Sequence, residues 1–371
     1  MVHKAIKEAL ENSNVFNCES INEFTSTIRY KLNVKGHASG ATFYICDYKG
    51  YSFLTKLVFY DKLYMEFYSE TTSVHSVDAE IRILEILNDK LVRKNITPCI
   101  LELIYYKICN GIKKLIPKRS TCDSLILRRA NSTVDEIIAR IFCEMRNQIN
   151  VGIAHDKCAF LVLERCDMTL EQYLEKSLNT TVSVAVFKTL LFQIIYTFYT
   201  INALYPKFSH NDLHPANIML WFDPHYKFKL TNPKYLIFHV ENETYSVPYF
   251  GIMPKIIDFG YSSIPEEGIN NIVMESKYIS YAYVKNDLTV LFHHIYFSLT
   301  QGENNKLHRV SKILSSIDPS EMYMHMDYEY IRRHENVIPT YKQMIKSKAF
   351  NEYKNFKAPI SQIYNEFIQV D

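Results

Sequence analysis

Apolar and polar positions alternate along Ile28-Arg-Tyr-Lys-Leu-Asn-Val34, the period of a half-buried strand. Two more strand-like runs, Thr42 to Cys46 and Tyr51 to Tyr60, flank Asp47-Tyr-Lys-Gly50, which suits a hairpin turn, so the early chain reads as an antiparallel meander. Residues 1–27 ahead of it read as a helical extension. Val77, Ile81, Leu84 and Leu87 then recur on one helical face, and Ile96-Thr-Pro98 ends that helix. From 111 to 150 the pattern breaks, which marks an insertion; its basic run of Lys113, Lys114, Lys118 and Arg119 reads as solvated loop, and Thr133-x-x-Glu136 as a capping box opening a helix to about Gln148. A short apolar run, Ala159 to Glu164, precedes a small helix starting at Leu170. The long stretch Val182 to Leu204 places Phe187, Leu190, Leu191, Ile194, Ile195, Phe198 and Ile201 on one stripe. Lys188, Gln193 and Asn202 interrupt it, as in a core helix and not a membrane span. Beyond it the pattern is mostly helical, with strand-like Tyr235 to Val240 and Thr244 to Val247 as a hairpin insertion within 221–252.

Composition narrows the classes. With 371 residues, 47% of them hydrophobic, the chain can bury a sizeable core, and only 9 Gly and 12 Pro exclude collagenous and mostly disordered readings. A balance of 42 Lys+Arg against 40 Asp+Glu gives +2, so charge implies no nucleic-acid partner. The eight cysteines are scattered without a Cys-x-x-Cys pair, and the start carries no secretory pattern. They are expected to be reduced thiols in a cytosol-like compartment, which implies a cytoplasmic location.

The densest chemistry lies in His210-Asn-Asp212-Leu-His214-Pro-Ala-Asn217, followed by Lys255-Ile-Ile-Asp258-Phe-Gly260. An Asp and an Asn five residues apart, with a second Asp before a glycine turn, supply one proton acceptor and two oxygen ligands. Phosphoryl transfer asks for that set: a base for the attacking hydroxyl and hard oxygens for Mg²⁺. His210 and His214 are four apart, but Pro215 and the lack of a His-Glu-x-x-His pattern argue against a zinc pair. Lys56 lies inside an apolar strand, where a charge needs a partner; Lys49 is its competitor, and Glu80 competes with Glu85 for the partner's place.

From about residue 28 to about 300 the chain resembles the protein-kinase-like superfamily. The resemblance implies an α+β bilobal fold: a small lobe over 28–163 made of antiparallel sheet with one main helix, and a larger, mostly helical lobe over 164–371, with ATP and Mg²⁺ in the cleft. It implies Asp212 as catalytic base, Asn217 and Asp258 as Mg²⁺ ligands, Lys56 on the ATP phosphates and Glu80 as the partner of Lys56. Gly36 and Gly40 would lie in the loop over the phosphates, and Glu164 to Cys166 would form the hinge that meets adenine. Asp287 resembles an aspartate that anchors the catalytic loop, although capping its own helix is the other reading. The implied activity is phosphorylation of protein Ser/Thr hydroxyls.

The departures are informative. Gly36-His-Ala-Ser-Gly40 is an incomplete glycine loop, Asn211 stands where many protein kinases carry arginine, and His214 where serine/threonine kinases carry lysine. No Ala-Pro-Glu follows Gly260. These features resemble haspin-like kinases and the divergent kinases of large DNA viruses. The Asp-Leu-His-Pro run is also similar to small-molecule phosphotransferases of the aminoglycoside and choline kinase type, and a silent pseudokinase scaffold is a further alternative. In kinases with the arginine, that cation is held productively once a phosphate pairs with it. Asn211 carries no charge to be read, so the protein should need no activating phosphorylation. Its initial rate on a generic acceptor should be unchanged after stripping with a broad phosphatase; a rate that collapses and returns on rephosphorylation would contradict this.

Overall fold

The computed structural model describes residues 2–13, 16, 18–19, 28–31, 42–61, 74–115, 143, 145–177, 181–227, 233–269, 286–300, 304–325 and 328–367. The fold is mixed α+β, with antiparallel sheets and several helices. Its contacts divide the chain into two compact units, residues 1–81 with 102–165 and residues 82–101 with 166–371.

In the first unit, helix α1 (Val2–Glu11) precedes β1 (Ile28–Lys31), β2 (Thr42–Tyr48), β3 (Tyr51–Asp61), β4 (Leu103–Asn110) and β5 (Ala154–Leu163). The strands form one antiparallel sheet in the order β1-β2-β3-β5-β4. Tyr48 pairs with Tyr51, and the two residues between them, Lys49 and Gly50, both have positive φ (50° and 83°). That is the two-residue turn whose twist matches the strands, and Gly50 adopts it without a steric penalty. Tyr44, Phe53, Leu57, Phe160 and Val162 are buried on one side of this sheet against Ile6, Leu10 and Phe16. Each such side chain removed from water contributes about 1.5–3 kcal/mol, so the extension is part of this core and not an appendage.

A covalent link reinforces that packing. Cys18 and Cys109, with Cα atoms 5.2 Å apart, form a disulfide, and Cys143 is disulfide-bonded too. The expectation of eight reduced thiols is therefore corrected: only Cys46, Cys99, Cys158 and Cys166 are free among the described cysteines. Pairing across 91 positions leaves no local spacing signal. Cysteine usage consequently carries no argument for a reducing compartment. Gly36 and Gly40, and most of the 111–150 segment with its capping box, lie outside the described residues.

Helix α2 (Ser76–Leu87) follows β3 in the chain, and its apolar positions Val77, Ile81, Leu84 and Leu87 are all buried, as their spacing predicts. In the second unit, α3 (Leu170–Ser177) and α4 (Thr181–Leu204) are followed, further along, by α5 (Asp287–Thr300) and α6 (Asn304–Ile317). Phe187, Leu190, Leu191, Ile194, Ile195, Phe198 and Ile201 of α4 are fully buried. Among the described residues, 183–204 is one helix long and apolar enough to cross a membrane, yet 78% of that window is buried inside the protein. The burial is that of a core helix.

Strands add more to this unit than the helical pattern suggested. β6 (Met168–Thr169), β7 (Ile218–Phe222) and β10 (Ile252–Ile256) make one small sheet. The hairpin of β8 (Lys234–Val240) and β9 (Glu243–Tyr249) makes another with β11 (Ile363–Phe367), which runs parallel to β8. Phe192 of α4 meets Phe238 and Tyr245 of this hairpin at ring separations of 5.3 Å, which seats the insertion on the core.

Peptide mapping without reductant should recover Cys18 joined to Cys109. Removing this link with Cys109→Ser should lower stability by about 2–4 kcal/mol in denaturant titrations; an unlinked peptide pair would contradict it.

Candidate active site

The site residues of the second unit are gathered by one strand pair. β7 begins directly after Asn217, and β10 ends two residues before Asp258. Their antiparallel register pairs Ile218 with Ile256, so two points separated in sequence by the whole hairpin insertion become neighbours. The Ile257 N–H then donates to the Asn217 carbonyl at 3.1 Å. Asp212 is fixed from the other direction, because Asn217 Nδ2 donates both to its backbone carbonyl at 2.8 Å and to its Oδ2 at 3.1 Å. Both bonds use the amide nitrogen, so neither engages Oδ1, the oxygen of the amide that could take a cation.

Asp287, 2% exposed, anchors the loop that carries these groups. Its Oδ2 accepts the His210 N–H at 2.9 Å and its Oδ1 the Asn211 N–H at 3.0 Å. Of the two readings offered by the sequence, the anchor is the one seen; the cap belongs to Asn286, whose Oδ1 accepts the Leu288 N–H at 3.0 Å. Burial pushes the Asp287 carboxyl up to about 7, while the two N–H donors pull it down.

Asn211 is left-handed at φ 63°, a region that Asn tolerates better than most residues. Its side chain accepts from Ser209 Oγ at 2.6 Å and donates to the Tyr261 carbonyl at 2.8 Å. Ser209 and Ser263 exchange both backbone hydrogen bonds, and Ser262 Oγ donates to the His210 carbonyl at 3.1 Å. The segment after Asp258, itself left-handed at φ 61°, is thus tied to the loop before Asp212. His210 is fully buried, with Nε2 3.0 Å from the Ile257 carbonyl and its ring 5.1 Å from Phe259. Burial lowers its pKa to about 4, so the ring is neutral and its Nε2–H donates. It packs against Phe259 and is bonded to the Ile257 carbonyl.

His214 Nε2 lies 3.8 Å from Asp212 Oδ1, and its ring is 5.7 Å from that of His294. Burial pushes both imidazoles down, His294 to about 4, with each also disfavoured or favoured by neighbouring charge. Among the described residues no group of three or more His, Cys, Asp and Glu could hold a metal unaided. One carboxylate and one amide oxygen fit Mg²⁺, which keeps several waters and shares phosphate oxygens.

In the first unit, Lys56 and Glu80 are 3% and 4% exposed, and Lys56 Nζ lies 2.8 Å from both Glu80 oxygens. β3 turns Lys56 inward, while its competitor Lys49 sits in the hairpin turn with its ammonium 5.2 Å from the Tyr48 ring. Glu85 is exposed on its helix. The Glu164 N–H donates to the Glu102 carbonyl at 3.0 Å, and Cys166 is a half-buried thiol. Glu171 and His294, which line the same cavity as Asp212, were not singled out by the sequence, since neither lies at a recognisable spacing from it.

The Asp287 anchor has a pH signature. A carboxyl that titrates near 7 when folded and near 3.8 otherwise binds more protons in the folded state across that window. Its contribution to stability is therefore full below about 4 and falls as pH rises through 7. The denaturation midpoint should decline more steeply from pH 5 to 8 in the wild type than in Asp287→Asn; equal slopes would contradict the assignment.

No protein-family model matches the chain. Over 244 residues it is 26% identical to a protein of Acanthamoeba polyphaga mimivirus named "putative serine/threonine-protein kinase". The match covers 60% of this chain and 60% of that relative's length. The similarity supports a kinase-like relationship at the family level.

Proposed function

We propose that the chain is an ATP- and Mg²⁺-dependent phosphotransferase that phosphorylates Ser/Thr hydroxyls of proteins. The observation that carries this reading is the convergence of Asp212, Asn217 and Asp258 through the β7–β10 pair and the 3.1 Å Asn217–Asp212 bond. Asp212 accepts the proton of the attacking hydroxyl, with His214 Nε2 3.8 Å from its Oδ1. Asn217 Oδ1 and the Asp258 carboxylate would hold Mg²⁺, which would neutralise charge on the transferring phosphoryl group. Lys56, oriented by Glu80 through both carboxylate oxygens, holds ATP phosphate. A Lys and a Glu buried together satisfy each other's hydrogen bonds, which fixes the ammonium in position.

Asp212→Asn should lower turnover by about 10²–10⁴-fold with nucleotide affinity largely retained, since the base is not a principal phosphate contact. Asp258→Asn should weaken Mg²⁺-dependent nucleotide binding as well. Lys56→Met should reduce kcat strongly with the fold intact, and Lys49→Met should not. Rates on generic proteins and on a panel of alcohols and sugars separate this reading from a small-molecule phosphotransferase. Turnover within about threefold of wild type for Asp212→Asn would overturn the assignment.

A further inference from the structure

A cavity of about 460 Å³ opens beside Asp212, lined by Glu171, His214, His294, Phe297 and Ser298 together with Pro215. It is built from α3, the loop over 210–217 and α5, so its walls belong to a single unit. Its charge is one-sided. Two carboxylates face it, and among the described residues no Lys or Arg lines it. Its other polar lining is uncharged hydroxyl and imidazole, from Ser298, His214 and His294.

Among the described residues, the contacts around Glu171 give it no structural task. Position in the first turn of α3 suits an acid, but the cap is made by its neighbours: the Gln172 N–H donates to Thr169 Oγ1 at 3.1 Å, and the Thr169 N–H to Gln172 Oε1 at 3.1 Å. Among the described residues no ion pair joins Glu171 to a cation. Phe297 offers an apolar wall on the α5 side.

Resting on the phosphotransferase reading above, we propose that this cavity receives a positively charged group of the acceptor, an amine or guanidinium carried near the hydroxyl, with Glu171 as its counter-ion. The aliphatic stem of such a group lies along Phe297 while its charge meets Glu171. That chemistry belongs equally to a Lys or Arg flanking the Ser/Thr of a protein and to an amino sugar or amino alcohol, and the same acidic cavity disfavours acceptors flanked by carboxylates.

Two acceptor pairs separate these sources: a serine peptide flanked by arginine against its citrulline counterpart, and an amino sugar against its N-acetyl counterpart. The charged member of one pair should be favoured in kcat/KM by about three- to tenfold, the range open to a solvent-exposed carboxylate, and the margin should shrink with added salt. Glu171→Gln should remove the preference and Glu171→Lys should reverse it, with the KM for ATP unmoved. A role confined to the helix terminus would lower the melting temperature of Glu171→Gln without touching the ratio, and would overturn the proposal. Equal rates for both members of both pairs would overturn it too while leaving the phosphotransferase reading intact. Calorimetric titration of the same four compounds reads the cavity without turnover. Should no acceptor be phosphorylated, the phosphotransferase reading fails, and a binding preference that Glu171→Gln abolishes still supports a cation site, whereas equal binding sinks it.

Discussion

A carboxylate sealed from water between two backbone N–H groups is the constraint on which the candidate site depends. Asp287 sits at the start of a buried helix and holds the amides of His210 and Asn211, the two residues ahead of Asp212. Leaving those donors buried and unpaired would cost about 1–3 kcal/mol each, so the loop has one low-energy path past the helix. From that path the rest follows. Asp212 emerges at a fixed point, the following 3₁₀ turn over Pro215–Asn217 brings Asn217 back onto it, and β7 carries the chain away.

The second feature of the site is that its linkage is uncharged. Asn211, Ser209, Ser262 and Ser263 hold the backbone after Asp258 with amide, hydroxyl and main-chain hydrogen bonds. Neutral hydrogen bonds in a buried setting are short-ranged and hold only in good geometry, so they fix these segments to each other closely. Two left-handed residues, Asn211 and Asp258, stand at the two ends of this linkage, both of types that tolerate positive φ. The bonds they make hold in place a backbone geometry that most side chains resist.

Local chemistry was legible in the sequence, and long-range pairing was not. Asp212, Asn217 and Asp258 could be picked out because their spacing is a property of one loop and one turn. Lys56 could be picked out because a charge in an apolar strand demands a partner. The β8–β9 hairpin announced itself by alternation. By contrast, the Cys18–Cys109 link joins residues with nothing local in common, and β11 finds β8 as a parallel neighbour after more than a hundred intervening residues. Glu171 and His294 are ordinary helix residues until α3 and α5 bring them to the same cavity. Asn211 was visible only as a missing charge; its left-handed backbone and its bond to Tyr261 belong to the folded state.

The Lys56–Glu80 pair shows why stability alone does not account for such residues. Burying an ammonium and a carboxylate costs several kcal/mol of hydration per ion, and their attraction returns this only when geometry is good, so well-packed apolar replacements of similar volume are often as stable or more so. Lys56 lies between Phe43 of β2 and Leu161 of β5 in the sheet register, beside strand positions that are filled by apolar side chains. Apolar residues at both positions would satisfy the core at no electrostatic cost, whereas a leucine or methionine at 56 alone would take from the buried Glu80 the ammonium it faces. What an apolar residue cannot supply is a charge held at a known point by two 2.8 Å bonds. The same reasoning applies to Asp287, whose burial disfavours its charge even as its two acceptor oxygens hold the loop. Both groups spend folding energy on position, and positions specified at that cost are where a polar ligand or a reacting atom is to be expected.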